Sequence, residues 1–404
     1  MRHVEAEGRL SVAMVGTRGV PARYGGFETA VEEVGSRLAD RGHEVRVYCR
    51  TSADTGRGPD SHLGMRRVEL PALRRRSLET LSHTALSVAH LAARRTDVAF
   101  VFNAANSPLL PVLRAARVPV ATHVDGLEWQ RSKWGPAGRR YYRRAEALAV
   151  RWSDALIADA RGIADYYRSE FDAPTTLLSY GAPVLVDPPS HRLAEVDVEP
   201  GRYHLVVARF EPENHVHLAV EGYVRSGARL PLVVVGSAPY ADAYTAHVHG
   251  LAAGDPRVRF LGGVWDAELL DQLYAHAASY VHGHSVGGTN PSLLRAIGAG
   301  APTIAYDVSF NREVLGAAGR YVRDAAQVAQ HLEEVEAAPV QARAAGEALQ
   351  RRAREYDWDL VADGYEDLAR RLRARDVPGP QPARRRRAPG AGATGERDGR
   401  VLVA

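Results

Sequence analysis

The chain has one cysteine in 404 residues, Cys49. That excludes an intramolecular disulfide and points to a reducing compartment. Its opening stretch, MRHVEAEGRL, lacks the apolar core of a signal peptide. No run approaches the roughly 20 apolar residues that span a bilayer. These absences predict a cytoplasmic protein, with peripheral contact at the inner face of a membrane as the one membrane association left open. A charge excess in the body is lacking too. From Arg371 onward nine Arg face Asp376, Glu396 and Asp398, which leaves residues 1–370 at a net of −2 out of a total of +4. The pI of 9.2 therefore belongs to the tail, and a general nucleic-acid binder is excluded. The runs HVHL (215–218) and HVHG (247–250) lack neighbouring cysteines or an i, i+4 histidine pair, so no metal site is expected.

What is present is a repeated α/β pattern, and the length suggests two domains. SVAMVG at 11–16 reads as a buried parallel strand, residues 28–41 as a helix with Gly42 at its end, and HEVRVYC at 43–49 as the next strand. Strands follow at 97–103, 118–126, 153–160 and 176–183, with helices at 77–95, 137–152 and 161–171. Residues 186–200, rich in Pro, Asp and Glu, read as a linker. The pattern then restarts, with strands at 203–210, 230–238, 257–264, 278–284 and 302–307 and helices at 214–226, 266–277 and 291–299. Residues 341–374 read as helical, and 375–404 as a disordered basic tail. The expected division is an extension at 1–10, a first domain at 11–185, a second at 201–340, and the C-terminal helical segment.

Two glycine loops carry the chemistry. In VHGHSVGGTNPSLLRAIGAGAPTIAYD (281–307), backbone N–H groups at Gly287, Gly288 and Thr289 meet the positive end of the following helix, which suits a phosphate. GTRGVPARYGGFET (16–29) holds Gly16, Gly19, Gly25 and Gly26 with Arg18, Arg23 and Tyr24. It contains neither G-x-G-x-x-G nor GK[ST], and the second strand ends in Tyr48, Cys49 and Arg50 without an acid. A dinucleotide oxidoreductase is therefore disfavoured. This loop is either a ligand-binding turn or a plain turn with two arginines. His123 and Asp125 lie at the carboxyl end of a strand, where α/β sheets bind ligands. Trp129, Arg131, Lys133 and Trp134 follow, suited to stack on sugars and hold phosphates. Arg209 ends the first strand of the second half and either clamps a diphosphate or pairs with Glu211 or Glu213. FNREVLG (310–316) places Asn311, Arg312 and Glu313 in a loop before a helix, with capping by Asn311 as the alternative role. RRRSLETLSHTALSVAHLAARR and RRYYRR (139–144) read either as charged faces over core helices or as contacts for anionic lipid.

GTRGVPARYGGFET, HVDGLEWQRSKWG, HGHSVGGTNPSLL and FNREVLG together resemble the retaining GT-B glycosyltransferases of family four. The similarity is to the rhamnosyltransferase-like branch of bacterial surface polysaccharide synthesis, and it covers roughly residues 11–372. The resemblance implies an α/β GT-B fold, with two Rossmann-like doubly wound domains facing a cleft and C-terminal helices crossing back to the first domain. It implies transfer of a hexose or 6-deoxyhexose, rhamnose foremost, from a nucleotide-diphosphate sugar to a glycan or lipid-linked acceptor, with no metal or other cofactor. His123, Asp125 and Arg209 are the implied catalytic set. Gly287, Gly288, Thr289, Asn290, Asn214 and Arg295 are assigned to the donor. Loop one, Trp129, Arg131, Lys133, Asn311 and Arg312 are assigned to the acceptor. The chain departs from the family at Ser285 and Arg295, where relatives carry glutamates, and lacks the lysine usual near Asn214. Arg295 has no acceptor for ribose hydroxyls, so the rival expectation is a relative that keeps the fold but binds a glycan or partner without transfer.

Overall fold

The computed structural model describes residues 8–22, 25–51, 58–73, 78–124, 126–236 and 242–382. The first half runs β1 (Ser11–Val15), α1 (Gly26–Asp40), β2 (Glu44–Arg50), β3 (Ser61–His62), β4 (Met65–Leu70), α2 (Glu79–Ala93), β5 (Val98–Phe102), α3 (Leu110–Ala115), β6 (Val120–His123), α4 (Pro136–Trp152), β7 (Ala155–Ala158), α5 (Arg161–Phe171) and β8 (Thr176–Leu177). The second runs β9 (His204–Val207), α6 (Val216–Arg225), β10 (Leu232–Val235), α7 (Asp242–Leu251), β11 (Val258–Gly262), α8 (Ala267–Ala275), β12 (Ser279–His282), α9 (Pro291–Gly298), β13 (Thr303–Tyr306), α10 (Ser309–Leu315), β14 (Arg320–Val322) and α11 (Ala325–Ala337). Helices α12 (Pro339–Ala353) and α13 (Trp358–Ala374) follow.

Among the described residues these strands form two sheets, ordered β3-β4-β2-β1-β5-β6-β7-β8 and β11-β10-β9-β12-β13-β14. Every pairing is parallel except the β3–β4 hairpin. Strands such as VAFVF of β5 are apolar throughout because helices cover both faces. Strand order reverses between β1 and β5, and again between β9 and β12. At such switch points a crevice opens beyond the carboxyl ends of the strands. Loop one follows β1, Arg209 follows β9 and the second glycine loop follows β12, so the sequence motifs converge on the two crevices.

On one side of the first sheet, α2 packs on α3 and α3 on α4, over a core that includes Val88, Leu91, Leu113 and Val120. On the other side, α13 returns from the second half and packs on α1. Its buried seam of Val361, Tyr365, Leu368 and Leu372 joins the first-sheet core. Arg37 pairs with Asp359 at 2.7 Å, and Arg41 with Asp363 at 2.6 Å and Glu366 at 3.0 Å. The partly exposed pairs add little each, so the buried seam holds the helix.

The structure revises several sequence expectations. Residues 341–374, expected as C-terminal helices, fall in α12 and α13. The chain breaks after Ala353, and Asp357 caps α13 through the amides of Asp359 and Leu360. At the start of α13, Trp358 packs on Gly181, where an added Cβ would lie 2.4 Å from its ring. The strand expected at 176–183 is confined to Thr176–Leu177, and residues 191–196 of the expected linker form a 3-10 turn with Leu193 buried. Asn311, Arg312 and Glu313 lie inside α10 rather than in a loop before a helix.

Candidate active site in the interdomain cleft

His123 ends β6 at the floor of the first crevice. Its ring stacks on Phe102 (5.5 Å, 18°) and Tyr180 (6.2 Å, 27°) and meets Phe27 edge-on (5.4 Å, 86°). Burial in this aromatic surround pushes its pKa down to about 3, so the imidazole is neutral at physiological pH. Loop one wraps over it. Gly16 has φ +104°, and a Cβ there would lie 2.4 Å from the Phe102 carbonyl oxygen. Gly19, at φ +98°, leaves 2.5 Å between such a Cβ and Cys49 Sγ. The Arg18 amide donates to Glu28 (3.0 Å). Gly25 caps α1, and Gly26 faces Pro291 of the second half, whose Cγ would be 3.1 Å from an added Cβ. The N-termini of α1 and α9 therefore meet across the cleft. Arg23, Tyr24 and Asp125 lie outside the described residues.

The segment after β6 is committed to charge pairing. Half-buried Arg131 donates to Glu128 at 2.6 Å and lies 3.6 Å from both Glu211 and Glu213 of the second half. Burial alone would lower its pKa, but the three carboxylates raise it, and in turn Arg131 and Lys133 hold Glu128 low against its own burial. Ser132 Oγ donates to Glu213 at 2.8 Å. Lys133 lies 3.5 Å from Glu128 and over the Trp134 ring, while the Arg143 guanidinium covers Trp129 at 5.1 Å. These residues border the cleft and also join its walls.

In the second crevice, Arg209 lies 3.5 Å from Glu211, with its side chain 46% exposed. Asn214 Nδ2 donates to the Arg209 carbonyl (2.9 Å), which fixes the turn that presents it. His282 and His284 stack at 4.4 Å and 13°. Burial takes His282 down to about 3, and burial with the nearby His282 and Arg209 takes His284 well below the ordinary histidine value. Asn311 Nδ2 donates to the Tyr306 carbonyl (2.8 Å) and the His284 carbonyl (3.0 Å). Asn214 Oδ1, His282 Nε2, His284 Nδ1 and Asn311 Oδ1 are buried without partners among the described residues. Such groups are costly unless another molecule meets them. Asn290 caps α9 through the Ser292 amide (2.9 Å). Arg295 turns away to α8, donating to Asp271 (2.6 Å) and to the Ala267 carbonyl (2.9 Å). Arg312 pairs with Asp307 and lies 4.3 Å from the Tyr321 ring.

The second glycine loop faces the first domain directly. Thr289 Oγ1 donates to the Asp159 carbonyl (2.7 Å), and a Cβ on Gly288 would lie 2.1 Å from Asp159 Oδ1. Below it, Glu313 accepts from the Arg161 amide (2.9 Å) at the N-terminus of α5, and burial raises the pKa of this carboxyl. A cavity of about 220 Å³ remains, lined by Leu127, Gln130, Gly162, Ser285, Gly287 and Phe310 among others. Sequence reasoning missed Asp159, the aromatic surround of His123 and the buried histidine pair. Asp159 was findable, because it ends a short apolar run just before a helix. The other two are assembled from distant segments and leave no local signal.

Residues 25–181 match the family described as a glycosyl transferase 4-like domain, and residues 201–337 match glycosyl transferases group 1. No curated protein matches the chain. Among solved structures, a sucrose-phosphate synthase from Thermosynechococcus elongatus is 20% identical with a TM-score of 0.77, covering 90% of this chain and 99% of that one. HepE from Anabaena, solved in complex with UDP-glucose, is 15% identical with a TM-score of 0.69, covering 89% of this chain and 100% of that one. An α,α-trehalose-phosphate synthase (UDP-forming) from Burkholderia vietnamiensis is 14% identical with a TM-score of 0.64, covering 90% and 99%. The structural likenesses carry the GT-B fold and the two domain matches carry the activity class, so the chain is a glycosyltransferase of the GT-B type. No helix among the described residues is long and apolar enough to cross a membrane.

Proposed function

We propose that this GT-B glycosyltransferase moves a hexose or 6-deoxyhexose, rhamnose foremost, from a nucleoside diphosphate sugar to a glycan or lipid-linked acceptor of surface polysaccharide synthesis, retaining the anomeric configuration. The observation that carries the reading is the second crevice. There a partly exposed arginine follows β9 and the capped N-terminus of α9 follows β12, and the surrounding segments hold four buried polar atoms without partners among the described residues. Arg209 and the amides of Gly287, Gly288 and Thr289 take up the charge that develops on the diphosphate as the sugar–oxygen bond breaks. Neutral His123 offers a hydrogen bond to the sugar without adding charge. The acceptor approaches from loop one on the face the diphosphate leaves, and charge and positioning replace a metal. The Anabaena protein solved with UDP-glucose and the UDP-forming synthase support a nucleotide sugar as donor.

A panel of thymidine, uridine, guanosine and adenosine diphosphates and their sugars should shift the Tm selectively for one base. With that donor, Arg209→Ala should lose roughly a hundredfold or more in turnover at unchanged Tm, and wild-type turnover should persist in EDTA. Near-wild-type turnover in the variant would refute the diphosphate assignment. The second reading, a fold-retaining binder without transferase activity, is favoured by Arg295, which is tied to Asp271 where relatives carry a ribose-binding carboxylate. A flat Tm across the whole panel would select it.

A further inference from the structure

We propose that the outer face formed by α2, α3 and α4 lies on an anionic bilayer. The three helices form one layer on one side of the first sheet, α2 against α3 and α3 against α4. On α4, Arg139, Arg140, Arg143, Arg144 and Arg151 are exposed. At 3.6 residues per turn they share a sector roughly 140° wide. Ala145 and Ala149, outside that sector, are buried. The one acid of the helix, Glu146, is also buried and accepts from the Tyr166 hydroxyl at 2.9 Å. No carboxylate of α4 thus offsets the arginines. The neighbouring α2 has the complementary character. Its single charged residue is Glu79 at the first position, and it carries Leu86, 44% exposed, while Val112 on the adjoining α3 is 45% exposed. Arg94 and Arg95 close the far end of α2.

Arginines on one helix and leucine and valine on the adjoining ones match the two parts of a bilayer surface, anionic headgroups and the first acyl carbons. A nucleic acid would use the arginines but gain nothing from Leu86 and Val112. The position also serves the cleft. Helix α4 begins two residues beyond Trp134, directly after the segment whose Arg131 and Ser132 reach the second domain, so a bilayer under α4 brings its surface to the rim of the active site. The proposal concerns where the enzyme works and holds whichever nucleotide is the donor.

The test is co-sedimentation of the full chain with phosphatidylcholine vesicles, with and without 30% phosphatidylglycerol (roughly, as a typical anionic fraction). Arg139→Gln, Arg140→Gln and Arg144→Gln combined should weaken binding to the anionic vesicles about a hundredfold, at about fivefold per arginine, with Tm and transferase turnover on a soluble acceptor unchanged. Leu86→Ser should weaken it further. Neutralising Arg384, Arg385, Arg386 and Arg387 of the tail should leave most of the binding in place. Three results would each overturn the proposal: wild-type binding by the triple variant, equal binding to neutral vesicles, or a loss seen with the tail variant alone. Tighter binding to a DNA duplex than to anionic vesicles at matched charge would overturn it as well and assign the face to nucleic acid.

Discussion

The two glycine loops occupy equivalent places, each after a strand at a switch point and before a helix N-terminus, yet their glycines answer to different neighbours. In loop one, Gly16 and Gly19 have positive φ and press on Phe102 and Cys49 of their own domain. In loop two, Gly287 also has a positive φ (+142°) but has open space around its missing side chain, and Gly288 faces a carboxylate of the opposite domain. Loop one is thus part of a packed core that supports His123. Loop two is open at Gly287, while Gly288 and Thr289 are buried against the opposite domain. A glycine-rich motif by itself does not say which role it has. The neighbour met by the absent Cβ does.

Substitutions can break this comparison. The largest stability effect should come from Gly16→Ala, where the new methyl meets backbone and φ is unfavourable. We expect a loss of about 3 kcal/mol, seen as a Tm lower by roughly 6–12 °C. Next comes acid. His123 and His282 have folded-state pKa values near 3 against 6.5 for the free side chain. The unfolded chain therefore binds more protons between those values, so their contribution is complete above pH 6.5 and is lost as pH falls toward 3. At pH 5 each histidine should cost about 2 kcal/mol of stability. His123→Phe should flatten its share of a urea-melt pH profile, and an unchanged profile would show that the ring is not held neutral by its surroundings. The smallest stability effect should be Gly288→Ala, about 1 kcal/mol, because the nearest atoms the new methyl meets belong to the Asp159 side chain and not to backbone. Its consequence should instead be a drop in kcat/KM of about tenfold (order of magnitude,), recovered by adding Asp159→Ala. A Tm loss as large as that of Gly16→Ala would erase the distinction between the loops.

Much of the architecture was legible because buried parallel strands write themselves as short apolar runs, and the glycine loops mark where those runs stop. SVAMV, VAFVF and LVVV announce β1, β5 and β10. The β3–β4 hairpin escaped notice, being two residues against six in a polar stretch around Leu63–Gly64. The helix break at Arg354–Asp357 escaped as well, although the capping Asp357 is a local signal for a new helix start. At the site, sequence picked residue types and could not pick partners. Arg131 was read as a sugar or phosphate contact; besides the local Glu128 it meets Glu211 and Glu213, which lie about eighty positions away. Glu313 read as a loop residue, while its carboxylate caps the N-terminus of α5 in the other domain.

The chain passes between its domains twice, once near residue 182 and again near residue 356. The two passages touch, the Ala182 amide donating to the Tyr356 carbonyl at 2.6 Å. Two strands of covalent chain laid side by side behave like a single pin. The halves are held by these paired passages and also by bonds across the cleft, where Ser132 meets Glu213 and Thr289 meets Asp159. Opening the cleft therefore means giving up each of those bonds while both covalent passages stay in place.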